Sequence, residues 1–341
     1  MSSSEEPSIS FPPPIIIPPL NPSAHDQTFI ILHGRGSSSQ HFASPFITTS
    51  FPLSCSSSSP STSSSTPGYS PSASPPTPTT TLQTLFSTAK FIFPSAHYSR
   101  ATIYKRSLIT QWFDSWHLDG DDSSLHPKSP SKKWRAISGL QTTTSYIHNL
   151  IREEAALLLG GTKKIILGGI SQGCAASLVA LMLWDGEERL GGYLGMCGWL
   201  PFAETIKKDV IDQKDNGKEN DDEWDPFQRD SDEEEENEGE QPSLDIGAAA
   251  VRAMRESLEL DSNRNKGPVS RPQAFDTPVF LGHGDQDPKV PVYHGKEAAE
   301  VLSAVGFTHV SWNDYLGLGH WYSPQMLRDI ATFIQPQGSE E

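Results

Sequence analysis

Apolar residues along this chain follow two alternating patterns. Short β-branched or aromatic runs closed by glycine or proline alternate with longer stretches whose apolar residues recur every three or four positions. The short runs are Thr28–Leu32, which leads into His33-Gly34-Arg35-Gly36, Lys90–Phe93 before Pro94, Lys163–Leu167, Gly192–Met196, Thr277–Leu281 and Thr308–Trp312. These are read as buried strands. The helical stretches are Ile137–Leu159, stopped by Gly160-Gly161, Cys174–Trp184, and Val292–Val305, closed by Gly306. A last helix carries Ser323 as N-cap and Pro324 at its first position, with Met326, Leu327, Ile330, Phe333 and Ile334 on one face. Strands that alternate with helices and lack a polar face predict an α/β fold, a mostly parallel sheet with helices on both faces.

The pattern fails in three places, and composition explains each. Residues 1–24 are proline-rich, and Phe11–Pro19 reads as a lead-in strand or an extended tail. Serine, threonine and proline dominate 53–84, a stretch too poor in apolar surface to offset ordering entropy; it is expected to be a disordered insertion. Residues 204–270 are expected to be a second, solvated insertion. Eighteen acidic and five basic residues lie between Glu204 and Asp245, which is most of the chain's net charge of −16. A hydrophobic fraction of 35% therefore describes a normal domain diluted by its insertions. The expected domain is 25–337, interrupted twice, with about enough ordered chain for one sizeable core.

Several classes fall away. No apolar run reaches the ~18 residues of a membrane span, so integral membrane association is not expected. The start Met1-Ser2-Ser3-Ser4-Glu5-Glu6 has no basic n-region, and the three cysteines are too widely spaced for a disulfide framework or a zinc cluster. A cytoplasmic protein is expected. An acidic chain without a basic stripe is a poor nucleic-acid binder.

The strongest chemical signal is Gly169-Ile170-Ser171-Gln172-Gly173, placed between a strand and a helix. In that context Gly-x-Ser-x-Gly forms a strained elbow that lifts the serine hydroxyl above the sheet. A serine needs a base, and the base an orienting acid. Downstream, one strand runs into Gly282-His283-Gly284-Asp285-Gln286-Asp287-Pro288 and the next leads to Gly317-Leu318-Gly319-His320. Catalytic groups of open α/β sheets gather at such carboxyl ends. Two histidines and two aspartates compete. Asp287 at the loop tip is taken as the acid and His320 as the base, with Asp285 and His283 assigned to bracing the turns. Backbone N–H groups of Gln172 and Arg35 are the expected oxyanion donors. The Arg35 side chain is read either as facing water or as meeting an anionic substrate group. No metal and no cofactor are required.

With these residues assembled, the chain resembles the acyl-protein thioesterase / carboxylesterase–lysophospholipase family of α/β-hydrolases. The matching stretches are Phe29–Gly36, Lys90–Ala96, Gln111–Asp114, Leu167–Gly173, Gly198–Phe202, Gly282–Pro291 and Tyr315–His320. The resemblance implies a single α/β-hydrolase domain and a triad of Ser171, Asp287 and His320, with oxyanion positions at Arg35 and Gln172. It implies cleavage of acyl esters or thioesters, with S-acylated proteins or lysophospholipids as substrate partners. The alternatives are a lysophospholipase or small-ester carboxylesterase without a protein substrate, a peptidase, or a non-catalytic binding protein. Trp112, Phe113, Trp199 and Leu200 are candidates for lining the acyl site. The sequence departs from the family at Arg35, where an apolar residue is usual, and in its two insertions, whose partners are unknown.

Overall fold

The computed structural model of the chain describes residues 10–53, 77–115, 130–211, 245–260 and 270–335. Its strands are β1 (Ile15–Ile17), β2 (Gln27–Leu32), β3 (Phe51–Pro52), β4 (Thr79–Thr80), β5 (Ala89–Phe93), β6 (Tyr98–Ala101), β7 (Ser107–Thr110), β8 (Ile165–Ile170), β9 (Gly192–Met196), β10 (Val279–Gly284) and β11 (Val310–Tyr315). The helices are α1 (Ser39–Thr48), α2 (Leu82–Leu85), α3 (Pro130–Ala155), α4 (Gln172–Met182), α5 (Ala203–Ile206), α6 (Ile246–Ser257), α7 (Val292–Ala304) and α8 (Pro324–Ile334).

Seven strands form one sheet in the order β1-β5-β2-β8-β9-β10-β11. Every neighbouring pair is parallel except β1 with β5. The lead-in proline segment thus becomes an edge strand, a place that tolerates residues lacking an N–H. Two cores sandwich the sheet. Ile30 and Leu32 of β2 face the one built from α3, α4, α6 and α7, whereas Phe29 and Ile31 face the one built from α1 and α8. This alternation along a strand buried on both sides produces the unbroken apolar runs seen in the sequence.

β8, β10 and β11 each continue three residues beyond the apolar run that predicts them. Gly168 to Ile170 still pair, as do His283 with Asp314 and Gly284 with Tyr315. Glycine and polar residues end the apolar signal while the backbone ladder goes on. The tips of these strands are where the site residues stand.

Parts of both expected insertions are ordered elements of the described chain. Residues 54–76 and 212–244 lie outside the described residues, but Thr79–Thr80 pairs with Phe51–Pro52 and α2 follows, capped by the Thr81 hydroxyl. Within the stretch expected to be solvated, α6 is ordered. The Asp245 carboxylate accepts from the N–H groups of Gly247 and Ala248, and Ala250, Val251 and Met254 are buried. Its amphipathic spacing is plain once separated from the acidic run before it. Helix α1 was also not anticipated. Pro45 sits inside it, although Phe42, Ala43, Phe46 and Ile47 bury one face and Ser38 caps its start.

Two substitutions test whether α6 belongs to the folded domain. Asp245→Ala should cost about 1 kcal/mol and Met254→Ala about 2–5 kcal/mol in urea unfolding. In a merely solvated insertion both would leave the midpoint unchanged.

Candidate active site

Strand β8 turns into α4 at Ser171, whose φ of 57° and ψ of −125° lie outside the basins open to ordinary residues. Tight packing around the turn enforces this geometry. A Cβ at Gly169 would come within 2.4 Å of the Gly173 carbonyl carbon, and one at Gly173 within 2.5 Å of the Leu32 oxygen. Both glycines of the motif are therefore steric necessities. The Ser171 N–H donates to the Met196 oxygen at 2.8 Å, which ties the turn to β9.

The β2–α1 loop lies directly against the serine, since a Cβ at Gly34 would meet Ser171 Cβ at 3.3 Å. His33 anchors that loop. Its Nε2 accepts from the Ala96 N–H at 3.1 Å, so Nδ1 carries the proton and donates to the Gly34 oxygen at 2.8 Å. Burial lowers the His33 pKa to about 4, against the opposing pull of the Gly34 bond, and keeps the ring neutral. The Gln172 side chain points the other way from its own N–H. It accepts from the Trp112 N–H and donates to the Phe113 oxygen. The backbone N–H groups of Arg35 and Gln172 have no acceptor among the described residues, and both residues line the cavity that holds Ser171.

That cavity has a volume of about 250 Å³ and is also lined by His320, Trp199, Tyr104, Lys289 and Trp321. His320 enters on the β11–α8 loop. The Asp285 carboxylate clamps this loop by accepting from the Gly317 N–H at 2.6 Å. His320 Nδ1 meets Asp287 Oδ2 at 2.7 Å, while Asp287 Oδ1 accepts from the N–H groups of Lys289 and Val290. His283, buried on β10, reaches the same Oδ2 at 3.2 Å and also donates to the Val290 oxygen. Burial alone would raise the Asp287 carboxyl. The bonds from His283, His320, Val290 and Lys289 outweigh it and hold the carboxyl well below the usual range. With Nδ1 committed to Asp287, Nε2 is the ring nitrogen left for chemistry in the cavity.

Cys197 Sγ, the Asp287 carboxylate and a His320 nitrogen lie within 4.8 Å of one another, a set that could ligate a metal ion. Burial pushes the Cys197 thiol up to about 12, and it donates to the Trp321 oxygen at 3.3 Å. A neutral thiol beside an imidazole already hydrogen-bonded to a carboxylate suits packing better than coordination.

Ser171, Asp287, His320, Arg35 and Gln172 are thus brought to one place. Of the four expected acyl-site residues, only Trp199 reaches the cavity wall. Trp112, Phe113 and Leu200 are core, and the Trp112 indole N–H is committed to the His33 oxygen at 2.7 Å. Tyr104, Lys289 and Trp321 were not singled out by sequence reasoning. They carry no motif and arrive from separate loops.

The phospholipase/carboxylesterase family model matches residues 78–215 and 262–337. An acyl-protein thioesterase 1 from Gibberella zeae is 28% identical over 248 residues, covering 73% of this chain and 77% of the relative. Acyl-protein thioesterase 1 from Candida albicans is 24% identical over 245 residues, 72% of this chain and 76% of the relative. Among solved structures, acyl-protein thioesterase 2 of Zea mays superposes with a TM-score of 0.55 at 18% identity, over 94% of this chain and 96% of its own. Arabidopsis thaliana SOBER1 gives a TM-score of 0.54 at 20% identity, over 91% and 97%. These two likenesses speak to the fold.

The depressed Asp287 carboxyl makes a prediction about stability. The unfolded chain takes up the proton first, so this group stabilises the fold fully above about pH 4 and progressively less as pH falls below it. Asp287→Asn should therefore lower stability most at pH 7, with the gap to the wild type narrowing by pH 3. Urea midpoints at the two pH values measure this; a gap independent of pH would refute it.

Proposed function

The chain belongs to the phospholipase/carboxylesterase family and is a carboxylic ester/thioester hydrolase; from that premise we propose that it works as a serine hydrolase through Ser171, His320 and Asp287. The observation that carries this reading is the shared cavity. A strained serine at a helix N-terminus shares that cavity with a histidine whose Nδ1 lies 2.7 Å from a buried carboxylate oxygen.

In this mechanism the His320 Nε2 removes the Ser171 proton as Oγ attacks the acyl carbonyl. Asp287 keeps the proton on Nδ1 and stabilises the imidazolium that forms. The oxyanion of the tetrahedral intermediate takes the free N–H groups of Arg35 and Gln172, each worth about 3–4 kcal/mol in comparable sites. His320 then protonates the leaving alcohol or thiol. Water, activated by the same imidazole, releases the acyl group from Ser171. His283 and the Lys289 and Val290 N–H groups keep the carboxylate oriented and ionised through the cycle.

The curated relatives are named acyl-protein thioesterases, which supports S-acylated proteins as substrates. The family's own description points equally to lipid and small esters. A set of acyl thioesters and esters graded by chain length, assayed beside an S-acylated peptide, separates these substrates.

Ser171→Ala should lower kcat by about 10⁴-fold or more and abolish labelling by a fluorophosphonate, with the circular dichroism spectrum unchanged. Near-full activity or continued labelling in that variant would refute the triad.

A further inference from the structure

Arg35 is the feature of the cavity that the mechanism leaves unexplained. Its backbone N–H has a role, but its guanidinium is a partly buried cation without a counter-ion among the described residues. Nη2 bonds to the Ser115 hydroxyl, whereas Nε and Nη1 are buried and have no hydrogen-bond partner. Among the described residues no carboxylate lies within ion-pair distance of it. The nearby Asp114 carboxylate is taken up by the Thr102 N–H and hydroxyl and by Arg135. A guanidinium does not escape this cost by losing its proton, although burial lowers its proton affinity against the pull of Tyr104 and Asp114. An unmatched buried charge is a standing destabilisation that a bound anion would relieve.

The rest of the cavity wall points the same way. Lys289, an exposed residue of the β10–α7 loop, also lines it and has no ion pair among the described residues. Among the described residues no acidic one lines the cavity, and the Asp287 carboxylate is buried. In a chain whose net charge is −16, Arg35 and Lys289 are the charged residues that line this space among the described residues.

We propose that Arg35, with Lys289 in the same cavity wall, forms a subsite for a carboxylate or phosphate group carried by the substrate a few bonds from the scissile carbonyl. Arginine suits the task, since its planar donors match the oxygens of either group. The inference rests on the hydrolase reading and refines it. The hydrolysed ester or thioester is anionic, and the same arginine supplies one donor to the oxyanion and another to the substrate's charge. The anion belongs to the acyl chain if it is a dicarboxylic half-ester, or to the leaving group if it is a glycerol phosphate.

Two matched pairs of substrates test this. One compares the 4-nitrophenyl half-ester of glutaric acid with 4-nitrophenyl valerate. The other compares a monoacylglycerol 3-phosphate with the corresponding monoacylglycerol. In the wild type, one anionic member should exceed its neutral counterpart at least tenfold in kcat/KM, and the pair that responds identifies where the charge sits. In Arg35→Gln that ratio should fall tenfold or more, whatever happens to the neutral rate, and Arg35→Lys should keep part of it. Raising the salt concentration on the wild type should shrink the ratio as well, a readout that needs no variant to fold. A neutral preference in both pairs, or a ratio untouched by Arg35→Gln, overturns the subsite. Calorimetry on Ser171→Ala separates this from failure of the hydrolase reading. Saturable binding of monomethyl glutarate or glycerol 3-phosphate that is lost in Ser171→Ala/Arg35→Gln upholds the subsite even without turnover, and absence of binding overturns it.

Discussion

A methyl group added at Gly173 would sit 2.5 Å from the Leu32 oxygen, and that steric limit organises the whole site. Helix α4 can start beside the ends of β2 and β9 only because its first turn carries no side chain there. Ser171 is consequently held at a positive φ, with its hydroxyl above the sheet and the N–H of Gln172 left unpaired beside it. The cost of such a backbone, of order 1–3 kcal/mol, is borne by the surrounding packing, where α4 is buried along its length. Gly34 completes the arrangement by letting the neighbouring loop close onto the serine.

Electrostatics completes what sterics begins. Asp287 is a carboxylate that burial would neutralise, yet four donors keep it charged. Three of those donors come from β10 and the loop after it, and the fourth is His320 from the next connection along the sheet. The Asp285 bond to Gly317 locks those two loops together, so the histidine is oriented before any substrate arrives. Polar residues that look redundant in a list, two histidines and two aspartates on two neighbouring strand-end loops, divide into a hydrogen-bonded pair, Asp287 and His320, and its supports.

The charge of the chain is also divided. Acidic residues concentrate between Glu204 and Asp245, mostly outside the described residues, while Arg35 and Lys289, with no ion pair among the described residues, stand in the cavity wall. Net charge is therefore a poor guide to what the cavity attracts; the sign of the local lining decides it.

Periodicity, strand-closing glycines and chain order were enough to determine the α/β architecture, the strained turn at Ser171 and the loops bearing Asp287 and His320. Each of these depends on neighbours in sequence or on the rule that parallel strands deliver their carboxyl ends to one edge. Strand lengths were read short, because the apolar signal stops where functional glycines and polar residues begin while the ladder continues. Helix α6 was hidden by the acidic run preceding it, and α1 by its internal proline. Only the tertiary structure decided that Trp112 is packed in the core, that Tyr104, Lys289 and Trp321 meet at the cavity, and that the partly buried Arg35 guanidinium has no counter-ion among the described residues. These facts depend on which side chains from distant loops exclude water from one another, and no spacing along a chain encodes that.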